Sequence, residues 1–300
     1  MSILAKLGLL FVLRGLYEVA WFLWAFFWRT STIRSYLQTK DGNRPWALVT
    51  NAAEGIGKGF ADKLAWMGFD IVLHDRDPYK LARTRAYLEK KFPQTRFRTI
   101  IVNWQLCADG HHASFSEIQN VVKDINLKVL INSPVNDTSE EYGPFDWYSP
   151  KHIADKIVSL AVFPTQVSSV LIRELLRSGP SLIINVVSTM QFGLPMRTSS
   201  MAFLMGSTAE LALESRAMRR DVEVLGVRAG QVALDDNGSI LCPGVETFVD
   251  AALGMVGCGR VMVTPYWIYV LQGWVASLIP EFLRDIISVD LMREEYRKNR

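Results

Sequence analysis

Metal-binding and redox-active residues are scarce in this chain, which has three cysteines and four histidines among its 300 residues. Cys107, Cys242 and Cys258 are odd in number, widely separated and outside any CxxC spacing. That argues against a disulfide framework and a cysteine zinc site, and favours a reducing compartment. His111 and His112 are adjacent in a polar stretch that reads as a solvated loop, so no metal site is expected. An excess of either charge is also missing. The net charge of +3 comes from 33 basic and 30 acidic residues scattered along the chain, which excludes nucleic acid as an expected partner. A disorder signature is absent as well, and 49% apolar residues suffice for one large core with an appendage.

Long apolar runs are present at both ends. Residues 7 to 28, LGLLFVLRGLYEVAWFLWAFFW, approach the length of a bilayer crossing but are interrupted by Arg14 and Glu18. These two are four apart, share a helix face and are expected to pair. The segment reads either as a short spanning helix or as an interfacial one, the latter supported by Trp21, Trp24 and Trp28. Its end, WAFFWRT, offers no small-residue cleavage site, so the segment is expected to stay in the mature protein. Arg29, Arg34, Lys40 and Arg44 follow, opposed only by Asp41, which places the next domain on the cytosolic or matrix side. The Asn-x-Ser/Thr matches at Asn136 and Asn237 are then chance. Near the other end, residues 265 to 283 form an apolar, aromatic stretch that suits a membrane interface, a partner surface or a core helix.

Between the ends the chain alternates strand-like and helix-like segments. WALVT (46 to 50), DIVLH (70 to 74), FRTIIV (97 to 102), KVLIN (128 to 132), SLIINVV (181 to 187) and VEVLGVR (222 to 228) lack in-out alternation. Strands of that kind are buried on both faces, as in a parallel sheet covered by helices. The expected architecture is α/β, a Rossmann-like doubly wound parallel sheet. Expected boundaries are a membrane-anchoring segment over residues 1–40, the sheet domain over 41–245, and a C-terminal helical extension over 246–300 that faces membrane or a partner. The first strand runs into VTNAAEGIGKGF, where Gly55, Ile56 and Gly57 precede a helix at once. Backbone NH groups and the helix dipole would there point at a phosphate.

TNAAEGIG resembles the TGxxxGIG turn of the short-chain dehydrogenase/reductases, with Asn51 in place of the first glycine. LINSPV (130 to 135) resembles their LVNNAG element, and INVVS (184 to 188) the strand ending in the active-site serine. FVDAALGMVG and the apolar stretch after it are similar to the membrane-bound branch. That branch holds very-long-chain 3-oxoacyl-CoA reductases, 17-beta-hydroxysteroid dehydrogenases and hydroxysteroid dehydrogenase-like proteins. The resemblance covers residues 46 to about 295 and implies a short-chain dehydrogenase fold with catalytic Asn, Ser, Tyr and Lys. In the family the tyrosine is the general acid and the lysine lowers its pKa.

Measured from Ser188, the family's spacing puts Met201 at the tyrosine position and Met205 at the lysine position, while Ser159 falls at the asparagine. Only Ser188 of the four remains. No tyrosine occurs between Tyr148 and Tyr266, so no local realignment restores the acid. A thioether has no proton to give, and the expectation is a fold that has lost catalysis and acts as a structural, accessory or regulatory subunit. The alternative is an NADPH-dependent 3-oxoacyl-CoA or 17-beta-hydroxysteroid oxidoreductase with a substitute proton donor. Expected cofactor-binding residues are Asn51, Gly55, Ile56, Gly57, Asp75, Arg76, Asn103 and Asn132. Arg76 would pair with the 2'-phosphate of NADP and Asp75 with the ribose hydroxyls of NAD, and the resemblance favours NADP. Asn51 tolerates positive φ, although its side chain is expected to crowd a pyrophosphate. Expected partners are a membrane and other proteins, or a second copy through the helices at 150–178 and 199–220. The membrane is the endoplasmic reticulum by resemblance, with the mitochondrial inner membrane as the alternative.

Overall fold

The computed structural model describes residues 3–39, 42–103, 112–134, 147–188, 195–234 and 238–298, and of Ser188 the backbone alone. Cys107, His111, Asn136, Asn237 and the expected boundary at 40/41 lie outside the described residues. Seven parallel strands form one sheet in the order β3-β2-β1-β4-β5-β6-β7. They are β1 (Trp46–Val49), β2 (Asp70–Asp75), β3 (Phe97–Ile101), β4 (Leu127–Asn132), β5 (Ser181–Ser188), β6 (Val222–Ala229) and β7 (Met262–Val263). The order reverses between β1 and β4, so a crevice opens beyond their carboxyl ends, the usual ligand position in such sheets.

The helices divide between the two faces. One carries α2 (Gly55–Met67), α3 (Pro78–Lys91) and α8 (Val245–Gly254), whose Phe60, Leu64, Leu81 and Phe248 are sealed against Val49, Ile71 and Ile184. The other carries α4 (His112–Val122), the continuous helix made of α5 (Pro150–Ile157), a π turn (Val158–Val162) and α6 (Phe163–Arg177), and α7 (Pro195–Ala217). Each fully buried Phe or Leu contributes about 1.5–3 kcal/mol. Local chemistry sets the helix ends. Asp77 caps α3 by accepting from the Tyr79 and Lys80 amides beside Pro78, and Gly68 at φ 107 closes α2.

The expected boundary at 245/246 lies at the start of α8. Phe248, Val249 and Ala252 of α8 belong to the main core, and β7 pairs with β6 at the edge of the sheet. The amino-terminal segment is also built in. Helix α1 (Ile3–Leu23) continues as a π turn (Trp24–Trp28), and a 3-10 helix (Ile33–Leu37) then buries Ile33 and Tyr36 in the core. Arg29 donates to Val256 O (2.8 Å) and to Gly254 O, a cation on the last carbonyls of α8. The Tyr36 hydroxyl donates to Glu223 (2.8 Å), which also accepts the Gly257 amide (2.7 Å).

Glu18 does not pair with Arg14 as expected. Its carboxylate meets Arg260 at 3.0 Å, and that guanidinium lies 3.6 Å from the Trp21 ring centroid, so a long-range partner outcompetes the neighbour one turn away. Two helices, Ala5–Trp28 and Pro150–Arg177, are long and apolar enough to cross a membrane. The second is the core helix described above. The apolar stretch after β7 becomes α9 (Trp267–Leu278) and α10 (Glu281–Lys298), both largely exposed.

Candidate functional site

After β1 the chain makes a turn held from three sides. The Ala52 amide donates to His74 O (2.9 Å), the Ala53 amide to Asp75 Oδ2 (3.1 Å), and Thr84 Oγ1 to Ala53 O (2.6 Å). Asn51 takes φ 51 and Gly55 φ 59, both left-handed. A Cβ at Gly57 would lie 2.1 Å from Asn51 O, so the first turn of α2 passes over this peptide only as glycine. Ile56 packs beside the main core.

The Asn51 side chain departs from the crowding expected of it. Its Nδ2 donates to Ser133 O at 2.6 Å and is buried at the end of β4. No side chain caps α2, since the Glu54 carboxylate turns to Lys80 at 3.0 Å instead. The amides at the start of this 13-residue helix are therefore available to an anion, and the turn fits a nucleotide pyrophosphate.

Asp75 is buried at the end of β2 and uses its two oxygens on the Ala53 and Asp77 amides (3.1 Å each). A carboxylate has about four acceptor sites, so two accepted amides leave lone pairs that a ribose hydroxyl could use. Arg76 follows on the exposed side, and Asn103 stands half-buried just beyond β3. Asn132, expected at the cofactor site, ends β4. Its amide is buried against Pro164 O (3.2 Å), Ser168 Oγ (2.9 Å) and Asn185 Oδ1 (2.7 Å), and Asn185 in turn donates to Thr208 (2.8 Å). Its Nδ2 braces β4 and β5 against α6 and α7, while its Oδ1 is buried without a partner among the described residues.

The catalytic positions gather at the ends of β5 and β6. Ser188 ends β5 in register with Ala229. Ser159 lies in the π turn, a one-residue irregularity frequent at functional sites, and its hydroxyl donates to Lys156 O (3.1 Å). Met201 of α7 is 3% exposed and shares an apolar cluster with Leu160, Val187 and Leu204, edged by Met205 and Met262. Val187 directly precedes Ser188, so the methionines stand beside the serine strand. The cluster holds no proton donor and no charge.

Two residues escaped the sequence reading. Met262 lies so close to β6 that a Cβ at Gly226 would meet its sulfur at 2.1 Å. Tyr269 of α9 covers Gly230, where a Cβ would meet its ring at 2.7 Å, and its hydroxyl donates to Gln231 O. Burial raises its pKa, so the phenol keeps its proton at neutral pH. No local signal could have placed Tyr269 beside the turn after β6, since a separate helix brings it there. Among the described residues no cluster of His, Cys, Asp and Glu could hold a metal ion.

Comparison with known proteins agrees with this geometry. The chain is 25% identical to a very-long-chain 3-oxoacyl-CoA reductase-like protein of Arabidopsis thaliana, over 96% of this chain and 93% of that one. It is 28% identical to a very-long-chain 3-oxoacyl-CoA reductase of Mycosarcoma maydis, over 78% and 69%. Among solved structures, a short-chain dehydrogenase from Sphingobium yanoikuyae in complex with NADPH superposes with a TM-score of 0.61 at 20% identity, covering 79% of this chain and 97% of that one. An alcohol dehydrogenase from Comamonas testosteroni does so at 0.61 and 20%, covering 79% and 95%. Both likenesses are of fold. The family model for short chain dehydrogenase matches residues 45–240, and the chain belongs to that family.

Proposed function

We propose that this chain is a membrane-associated short-chain dehydrogenase that has lost the family's proton transfer and serves as a structural, accessory or regulatory subunit. The observation that carries this reading is Met201, buried among Leu160, Val187 and Leu204 where the family's spacing calls for the acid. Loss of a general acid alone lowers a rate about 100 to 10,000-fold. The soluble domain lies on the cytosolic or matrix side, at the endoplasmic reticulum if it follows the branch it resembles.

The nucleotide turn supports retained binding of NADP. Gly55 and Gly57 shape the turn, the α2 amides would receive a pyrophosphate, and Arg76, exposed after β2, would pair with a 2'-phosphate. The nicotinamide, when bound, supplies a hydride. The chain's own residues would orient it without furnishing the proton. Titration of detergent-solubilised protein with NADPH and NADH, followed by thermal unfolding, tests binding apart from activity. NADPH at 100 times its dissociation constant is expected to add about 2.7 kcal/mol. Turnover of a 3-oxoacyl-CoA or a 17-ketosteroid at ordinary enzyme rates would overturn the loss of catalysis.

A second reading, an NADPH-dependent 3-oxoacyl-CoA or 17-beta-hydroxysteroid oxidoreductase, is favoured by one observation. Tyr269 sets its ring over Gly230, one residue beyond the strand partner of Ser188, with its hydroxyl donating to Gln231 O, a bond it would have to leave to reach a substrate. In this reading Tyr269 is the substitute donor and Ser188 binds the carbonyl. Both Tyr269→Phe and Ser188→Ala must then abolish a measurable turnover, and an unchanged rate in either removes it.

A further inference from the structure

Arg228, next to last in β6, is a charge without a counterpart. The residue is half-buried, its Nε is fully covered, and among the described residues no acceptor meets any nitrogen of its guanidinium. Buried polar atoms are paired almost throughout folded proteins, so each orphan asks for an explanation. A water molecule would satisfy the N–H but leave the charge uncancelled. The position adds to the question, because ligands of such sheets bind beyond the carboxyl ends of the strands.

Strand register fixes the direction of the side chain. Residues paired across parallel strands share a face. Ile183 and Val224 lie together in one core cluster, and Ile184 with Leu225 and Val186 with Val227 in the other. Arg228 is paired with Val187, a member of the methionine cluster, so it leaves the sheet on the face that α7 covers. Gly226, two residues earlier, agrees, since a Cβ there would meet Met262 and Thr208 of α7. On that helix the family's spacing puts a lysine at Met205. The chain thus lacks a cation on α7 and carries one on the strand beneath it.

The surroundings are apolar. Met205 and Met262 edge the cluster, and the Tyr269 ring lies over Gly230. Beyond β6 the loop leaves Leu234, Ile240 and Leu241 exposed by 49%, 72% and 64%, and Tyr266 ties it to α9 by donating to Ile240 O (3.0 Å). A guanidinium keeps its charge in proteins and offers a planar fork that matches the two oxygens of a carboxylate.

We propose that Arg228 is an anion-binding residue and takes the carboxylate of an apolar acid, whose chain lies past Met205, Met262 and the Tyr269 ring toward the loop after β6. Neither NADP nor the loss of catalysis proposed above is needed for this assignment.

Equilibrium dialysis of the full detergent-solubilised chain, without nucleotide, tests it with hexanoate and its uncharged isostere hexanamide. Hexanoate is expected to bind about tenfold more tightly or better, and Arg228→Met to remove that preference while leaving hexanamide as it was. Arg228→Lys keeps the charge without the fork and should retain part of the preference. The urea midpoint of unliganded Arg228→Met is expected to equal or exceed that of the unmutated chain, because the orphaned nitrogen is gone. A clear fall would give Arg228 to the fold and overturn the proposal. Hexanoate that binds no better than hexanamide, or that survives Arg228→Met, would overturn it too. So would inorganic phosphate displacing hexanoate at an equal concentration, which would make the site one for a small anion. NADPH is expected to shift thermal unfolding of Arg228→Met as it shifts the unmutated chain. A shift lost only in the variant would hand the guanidinium to the nucleotide and end the proposal, whereas no shift in either protein would count against NADP binding alone.

Discussion

The turn after β1 and the methionine cluster beside β5 are two parts of one family site, and they have fared differently. The turn keeps its shape, with Gly57 pressed over the Asn51 carbonyl and Gly55 at positive φ. The cluster is apolar and packed, with Met201 and Met205 at the positions the family's spacing gives to the tyrosine and the lysine. The difference follows from what each part does for folding. The glycines are required by the backbone whether or not a nucleotide arrives, whereas a tyrosine and a lysine on α7 serve only the reaction. Retained glycines are therefore weak testimony for a ligand, and lost side chains are strong testimony against the reaction.

The sharpest way to break this comparison is Gly57→Ala. If the glycine serves the fold, the variant loses about 3 kcal/mol in urea denaturation with no nucleotide present, since a Cβ 2.1 Å from a carbonyl oxygen overpacks a rigid turn. A loss below about 0.5 kcal/mol would mean that the turn relaxes and that glycine is kept for a ligand. On the other side, Met201→Ala is expected to cost about 2 kcal/mol through its cavity, and Met201→Leu less than about 1.5 kcal/mol. Equal losses for the two would show that Met201 is not packed as the cluster implies.

Acid separates the two regions again. His74 lies beneath the turn, stacked on Phe163 at 5.1 Å with Nε2 3.2 Å from Val102 O, so its neutral ring carries the proton on Nε2. Burial pushes its pKa down to about 4, against a smaller opposing pull from Asp75. A histidine depressed in the folded state favours folding in full above its unfolded pKa of about 6.5, because only the unfolded chain then gains a proton as pH falls. Stability is expected to drop by up to about 1.4 kcal/mol per pH unit between about 6.5 and about 4. His74→Phe should flatten that part of the profile in denaturation at pH 7, 6 and 5. The methionine cluster contains no titrating group, so Met201→Leu should leave the slope untouched.

Much of this was legible in the sequence, and the remainder was not for identifiable reasons. Six strands stand within two residues of their expected ends, because apolar runs between Gly, Pro and Asp report a buried parallel strand locally. The seventh, Met262–Val263, is too short to carry any pattern, and without it α8 looks like an appendage. Asn132 reads as a crevice residue from its position after β4. That position does not disclose its cross-strand neighbour Asn185 or Ser168, which take its amide hydrogens. Arg14 and Glu18 satisfy the four-residue rule, yet Arg260 holds the carboxylate, and no spacing rule reaches across 242 residues. Positions set by neighbours in sequence were readable. Positions set by partners from other elements were not.

Asn51 gives the finest comparison, because it replaces a glycine inside the turn that is otherwise intact. Two terms of similar size act on it. Its side chain gains a hydrogen bond to Ser133 O, worth about 1 kcal/mol net, while φ 51 strains any residue with a Cβ by about 1 kcal/mol, asparagine least of all. Asn51→Gly removes both and should change stability by less than about 1 kcal/mol. Asn51→Ala removes the bond, keeps the strain and should cost about 1 kcal/mol. The Gly variant also speaks to the ligand. With the native side chain folded toward β4, restoring glycine should leave NADPH affinity within about threefold, or about 0.6 kcal/mol, as read by the thermal titration. A gain of tenfold or more would mean that asparagine swings into the pyrophosphate position when nucleotide arrives, and the proposed loss would then extend from the methionine positions to the turn.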